Sequence, residues 1–407
     1  MAATENNPKL KRVLSLPLLV LYGLGTTIGA GIYALIGELV AISGYFAPAS
    51  FLVAAFIATL TAVSFAEMAG RIPSAAGTAS YVKHGLTSIH LSTAVGLLVI
   101  LAGLVSTSAL INAFLGYLQV FIEVDRVITI IIIALSLGAL AAWGIAESVM
   151  VASIITLIEV AGLLIIISVS YPGLVEFTDK WPMLIPTDLV SWGLIYAGAM
   201  LAFYTFIGFE DMVVVAEETK EVKRTLPLAI ILTLAITTIL YMCIVISAIF
   251  VMPPEQLASS SAPLAALYQH QTGESTLLIT IIGMTSILNG ALVQVIMASR
   301  VLYGLSSQGQ IPAIFSQVNR KTHTPLFATA IAVLIAMSLA LIGSLSSLAE
   351  TTSLIMLIVF ALVNLSLLIV KQKNPHPEGV LVFPIWVPAL GFLFSIGFVI
   401  SEFIQLF

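Results

Sequence analysis

GLGTTIGAGIY, residues Gly23–Tyr33, places Gly23, Gly25, Gly29 and Gly31 within nine residues. The stretch lies inside an apolar run from about Leu14 to Ile42, long enough to cross a bilayer. Glycine weakens a helix by roughly 0.5–1 kcal/mol relative to alanine, so four of them at mid-membrane need a reason. Close helix contact is one, since small residues let backbones approach. An interruption is the other, with two glycine pairs flanking Thr26, Thr27 and Ile28 where the chain leaves the helix. Non-helical backbone at that depth is tolerated only where it lines a cavity or is covered by protein. A dinucleotide-binding reading of the Gly-x-Gly fails, because no strand precedes it.

Working outward, 60% of the 407 residues are hydrophobic and 9% are charged, with a mean hydropathy of +1.14. A soluble domain carries about 25% charged residues. The unbroken apolar runs fit spanning helices, not the alternating strands of a membrane barrel. Breaks between runs predict an all-α membrane protein with eleven spans, at about 15–40, 46–70, 91–122, 127–146, 149–171, 189–216, 226–251, 275–304, 325–345, 351–371 and 382–405. The polar start MAATENNPKLKR leads straight into the first run without a cleavage site, so no removable signal is read. This count puts thirteen of the fifteen Lys and Arg on one side, with only Arg126 and Lys180 opposite. The positive-inside rule then predicts a cytoplasmic N-terminus and an external C-terminus, with a plasma membrane as the expected location. Cys243 is the single cysteine and reads as inert packing within a span. The five histidines fall in or beside connecting segments, without metal-site spacing.

An interrupted first span predicts a counterpart. Five spans later, SWGLIYAGAMLAFYTFIGFEDMVVVAEE carries Gly193, Gly198, Thr205 and Gly208, then the adjacent acids Glu210 and Asp211. Two interrupted spans at matching places point to a central binding site. The chain then divides into a tail (1–14), a first five-helix repeat (15–172), a second of opposite orientation (189–371) and an additional helix (382–405).

Five stretches in order resemble the amino acid–polyamine–organocation (APC) superfamily. They are GLGTTIGAGIY, FAEMAGRIPSAAGTASYV, FIGFEDMVVVAEETKEVKRTLPLAI, NGALVQVIMASRVLYGLSSQGQIP and THTPLFAT. The resemblance implies a 5+5 inverted-repeat fold with discontinuous helices 1 and 6, and a permease for an amino acid or related amine that works by alternating access. It implies no cofactor. Typical members have twelve spans, so eleven here departs from the pattern. By the same analogy the substrate α-carboxylate meets backbone N–H groups of Thr26, Thr27, Ile28, Gly29, Ala30 and Gly31, and the α-amino group meets carbonyls around Phe203, Tyr204, Ile207 and Gly208. The aromatic residues Phe203, Tyr204, Phe206 and Phe209 are candidates to gate or line the side-chain pocket. A zwitterion entering a dry site must exchange its hydration for hydrogen bonds at both ends.

Ionisable residues inside spans are few, and such groups mark pathways or partners. Glu159 sits mid-span in SIITLIEVAGLLIII. Many proton-coupled members of the superfamily resemble one another in carrying a lysine there, so the glutamate departs from a lysine-based mechanism. It reads as a proton carrier for symport. The rival readings are a sodium site with Ser286 or Ser299, exchange without an ion, or a packed, protonated acid. Glu210 and Asp211 read as a gate or as partners of Asn289 or Arg300. Glu67 and Arg71 read as interfacial, as does the charged run Glu217–Arg224. No P-loop and no nucleophile–base set occurs, which argues against an enzyme, and nothing suggests a nucleic-acid partner. A channel would favour a repeated pore helix or a ring of like charges.

Overall fold

A computed structural model describes residues 12, 14–29, 31–73, 77–143, 149–172, 181–319, 322 and 324–405. Ala30, Lys180, Arg320, Lys321 and most of the N-terminal tail lie outside the described residues. Among those described, the regular elements are all helical. The first crossing is built from α1 (Leu16–Ile28) and α2 (Gly31–Ser43), and α3 (Ala47–Arg71) returns. Next come the short α4 (Gly77–Leu86), then α5 (Ile89–Leu118), α6 (Arg126–Trp143) and α7 (Val149–Ser170). The second half holds α8 (Leu189–Tyr204), a 3-10 segment (Phe209–Glu218), α9 (Val222–Val251) and the short α10 (Pro254–Ala258) and α11 (Pro263–Thr272). It ends with α12 (Leu277–Ser307), α13 (Leu326–Ile342), α14 (Leu345–Lys373) and α15 (Trp386–Gln405).

Nine described stretches are long and apolar enough to cross a bilayer. One of them, Leu16–Arg71, is 56 residues long and holds two crossings, because the chain reverses through a turn at Gly44–Phe46. Leu326–Ile342 is a shorter apolar helix of 17 residues, roughly 26 Å at 1.5 Å per residue. Dividing the first and adding the second restores the eleven predicted crossings. The third is shorter than expected: α5 ends at Leu118, and the 119–125 connection is non-helical.

Local signals start these helices. Ser88 accepts the Leu91 N–H at the head of α5, and Ser344 forms a capping box with Ser347 at the head of α14. Asp188 caps α8, and hydrogen bonds from the Ser191 N–H and hydroxyl hold its carboxyl below its ordinary pKa. Within the bundle α12 runs along α5, α9 along α3, and α1 packs on α7 and α9, while α14 contacts both α5 and α15. The outer faces are apolar: Ile128, Ile132 and Leu135 of α6 and Ile154 and Leu157 of α7 are all more than half exposed. Thr61, Ser64, Thr233, Thr237 and Thr280 are buried instead. Their hydroxyls face protein while Leu and Ile face outward, the reverse of a soluble protein. Cys243 lies on the exposed face of α9 and is not packed inside, contrary to the sequence reading.

Glu67 and Arg71 also differ from expectation. Glu67 is fully buried, binds Arg71 at 2.6 Å and Lys371 at 2.7 Å, and accepts the Phe383 N–H. Lys371 also donates to the Phe383 carbonyl, and Arg71 to that of Asn374. The network ties the end of α3 to the end of α14 and the link into α15. Sequence spacing exposed only the i,i+4 pair, since Lys371 lies about 300 residues away.

Candidate functional site

Both expected interruptions are present. α1 stops at Ile28, Gly29 takes φ +24° and ψ −125°, and α2 resumes at Gly31. α8 stops at Tyr204 by tightening: Thr205, Phe206 and Ile207 donate to carbonyls three residues back. Gly208, at φ +130°, then turns the chain into the 3-10 segment, a conformation that excludes a side chain.

The two breaks touch. The Thr26 hydroxyl lies 3.0 Å from the carbonyls of Gly23 and Gly208. A Cβ at position 208 would stand 2.2 Å from the Thr26 carbonyl oxygen, so backbone meets backbone there. From α9, the Tyr241 hydroxyl lies 3.0 Å from the Thr27 and Thr205 carbonyls and 3.4 Å from that of Ile28. One phenolic proton faces three bared carbonyls, and it can satisfy them only by sharing. Ser286 of α12 donates to the Gly29 carbonyl. Glu210 turns back to accept the Gly208 N–H at 2.8 Å.

Between the breaks lies a cavity of about 30 Å³, lined by Gly25, Thr26, Thr27, Gly29, Gly31 and Ile207, and by Ser106, Leu110, Tyr204, Gly290, Val293 and Gln294. That is room for about two waters. A larger cavity of about 330 Å³ opens on one side, where Lys83, Glu210, Asp211 and Arg300 line it. Another, of about 380 Å³, is lined by Glu38, Asn112 and Arg126. On the first side Gln294 donates to Asp211 at 3.3 Å, and Leu14 pairs through its backbone with Glu218 and Lys220. Toward the other, Tyr117 donates to the Tyr33 carbonyl at 2.8 Å and Tyr33 to the Glu159 carbonyl at 2.6 Å.

Of the residues singled out in the sequence, Thr26, Thr27, Gly29, Gly31, Tyr204 and Ile207 meet at this cavity, and Gly208 adjoins it. Ile28 and Phe203 do not line it. Phe203 and Phe209 pack on Phe360, and Phe206 packs on Phe51 and Tyr241, so these rings form core and only Tyr204 faces the site. The carbonyls of Phe203 and Tyr204 are already occupied by the turn that ends α8. Asp211 takes Gln294 as a hydrogen-bond partner, a residue the sequence reading did not name. Glu159 is fully buried, and neither carboxyl oxygen has a hydrogen bond of normal geometry, although Ser286 and Asn289 lie close by. Ser299 is not gathered with them: it lies thirteen residues along α12 from Ser286, roughly 20 Å at helical rise, and donates to Ile296. Ser106, Gln294 and Tyr241 escaped the sequence reading because a single hydroxyl or amide in an apolar span carries no local signal.

This arrangement agrees with what the whole chain matches. The amino acid permease family model aligns with residues 14–407. The chain belongs to this family. It is 32% identical over 397 residues to the vacuolar cationic amino acid transporter 2 of Arabidopsis thaliana, covering 91% of this chain and 61% of that one. It is 28% identical to the branched-chain amino acid permease BcaP of Bacillus subtilis, covering 98% of this chain and 90% of that protein. A methylthioribose transporter of the same bacterium is 25% identical over 401 residues, covering 92% of this chain and 85% of that one. The chain thus spans less than two thirds of the plant relative's length. The family and the helical structure make it a multi-pass integral membrane protein, and these relatives carry the names of carriers, not of enzymes.

Proposed function

We propose that this protein is a secondary active transporter that moves a neutral amino acid by alternating access, with a proton carried at Glu159. One observation carries the reading: two interrupted helices meet at a small cavity of bared backbone, with wider cavities on either side. The start of α2 offers N–H groups to a carboxylate. The carbonyls gathered at Tyr241 offer acceptors to an ammonium group. The relatives' names point to amino acids but differ on the side chain, cationic for one and branched-chain for another. Among the described residues no charged side chain lines the central cavity, and Leu110, Val293 and Ile207 give it apolar walls. A cationic side chain would be desolvated there without a counter-charge, which favours a neutral substrate.

Glu159 has no cation within ion-pair distance among the described residues, and an ionised carboxylate so placed would be an unpaired buried charge. Carrying a proton removes that cost, and releasing it requires a rearranged site. A sodium-coupled reading is supported by the oxygens of Ser286, Gly29 and Glu159 near one another. In this reading residues 15–172 and 189–371 are two repeats of opposite orientation, 382–405 is an added helix, and the N-terminus faces the cytoplasm of a plasma membrane. Proteoliposome uptake tests it. Neutral amino acids should accumulate under an imposed pH gradient, and unlabelled substrate inside should accelerate uptake of label. Accumulation driven by sodium alone would transfer coupling to the cation, and flux without accelerated exchange would indicate a channel.

A further inference from the structure

At the end of the bundle away from Arg126 lies a cleft of about 820 Å³, distinct from the central cavity between the two helix breaks. Its charged lining is Arg71, Lys83, Lys223, Lys373 and Glu378. Arg71 is committed to Glu67, but Glu67 also binds Lys371, so one carboxylate serves two cations and the buried network keeps a surplus positive charge. Lys83, Lys223 and Lys373 are exposed and make no ion pair among the described residues, and Glu378 is the one acidic side chain in the lining. Positive charge therefore exceeds negative in a concave site with protein walls, where fields are focused.

Place and shape narrow the ligand. The cleft sits where α3 and α14 end and α5 and α9 begin, so it lies at the mouth of four crossings, the depth of lipid headgroups. Ile72, Ile89, Val370 and Val380 give it an apolar side, and the exposed Ile89 and Leu91 stand on α5 at its edge. An anion with an apolar body satisfies both surfaces. We propose that this cleft binds the phosphate headgroup of an anionic phospholipid, held by Lys83, Lys223 and Lys373. Ser80 and Lys83 line both this cleft and the 330 Å³ cavity beside Asp211. α4 is their shared wall, so a bound headgroup acts on the side of the transport path. The site itself does not depend on what the protein carries.

The test uses the purified full-length protein in neutral detergent, with thermal stability followed against short-chain phosphatidylglycerol, phosphatidylcholine of equal chain length, and inorganic phosphate. Phosphatidylglycerol should stabilise it and phosphatidylcholine should not. Each Lys→Gln change at 83, 223 or 373 should weaken the apparent affinity about fivefold, and the three together on the order of 100-fold. The matching triple Lys→Arg variant should keep the affinity, which separates lost charge from a damaged fold. Equal stabilisation by phosphatidylcholine, or an unchanged affinity in the Lys→Gln triple variant, would overturn the site. Equal stabilisation by inorganic phosphate would overturn the lipid in favour of a soluble anion.

Discussion

Replacing Gly208 by alanine should force the two helix breaks apart. The added Cβ would stand 2.2 Å from the Thr26 carbonyl oxygen and 2.6 Å from its carbon, where ordinary contact begins at 3.4 Å. Both obstructing atoms are backbone, so no rotamer change relieves them, and the segments must separate by about 1 Å. Gly208 also holds φ +130°, a region that costs an L-residue about 1–3 kcal/mol. Overpacking adds about 1–3 kcal/mol, for a combined destabilisation on the order of 2–6 kcal/mol. A shift of that size also breaks the Thr26–Gly208 hydrogen bond and disturbs the Tyr241 contact with Thr205. Thermal denaturation of purified protein and uptake into proteoliposomes should both fall. Gly193→Ala is the control within the same helix, because a Cβ there meets nothing within 4 Å. Its stability should match the parent's or exceed it by up to about 1 kcal/mol, the helix preference of alanine over glycine. A Gly208→Ala protein with parental melting and uptake would refute the contact between the breaks.

Other substitutions probe the coupling group and the supports of the site. Glu159→Gln keeps the shape but cannot release a proton, so accumulation under a pH gradient should vanish while exchange persists; gradient-driven accumulation in this variant removes Glu159 as carrier. Tyr241→Phe leaves bared carbonyls without their shared donor and should cost about 1–3 kcal/mol, read by thermal denaturation; parental stability would mean that water serves them as well. Glu67→Gln leaves Arg71 and Lys371 without a counter-charge and should destabilise by about 3–5 kcal/mol. Lys371→Met in that background should recover part of the loss, and no recovery would argue against the ionic origin of the effect. Labelled leucine uptake should be inhibited by unlabelled neutral amino acids and not by lysine, and the reverse order would contradict the uncharged cavity.

The break in the first span was legible because four glycines in nine residues conflict with a helix, and its partner because Gly208 precedes Glu210 and Asp211 at the matching place. What could not be read was which side chains turn inward. In Phe203, Tyr204, Phe206 and Phe209 the composition is uniformly aromatic, yet one hydroxyl meets Ser106 near the cavity and three rings pack in the core. Helical phase at a break depends on how tightly the last turn winds, and here that turn is 3-10. Glu67 looked interfacial because its second cation is distant in sequence.

By itself, the sequence determined that the chain is helical, crosses a membrane repeatedly, and interrupts two of its helices. These properties follow from local composition, since apolar length, glycine placement and the scarcity of charge act within a few turns. The tertiary structure alone decided that the interruptions meet, that Tyr241 and Ser286 answer their carbonyls, and that Glu159 stands without an ionic partner among the described residues. Those facts depend on which helices become neighbours. Side-chain packing across hundreds of residues sets that choice, and it leaves no periodic trace along the chain.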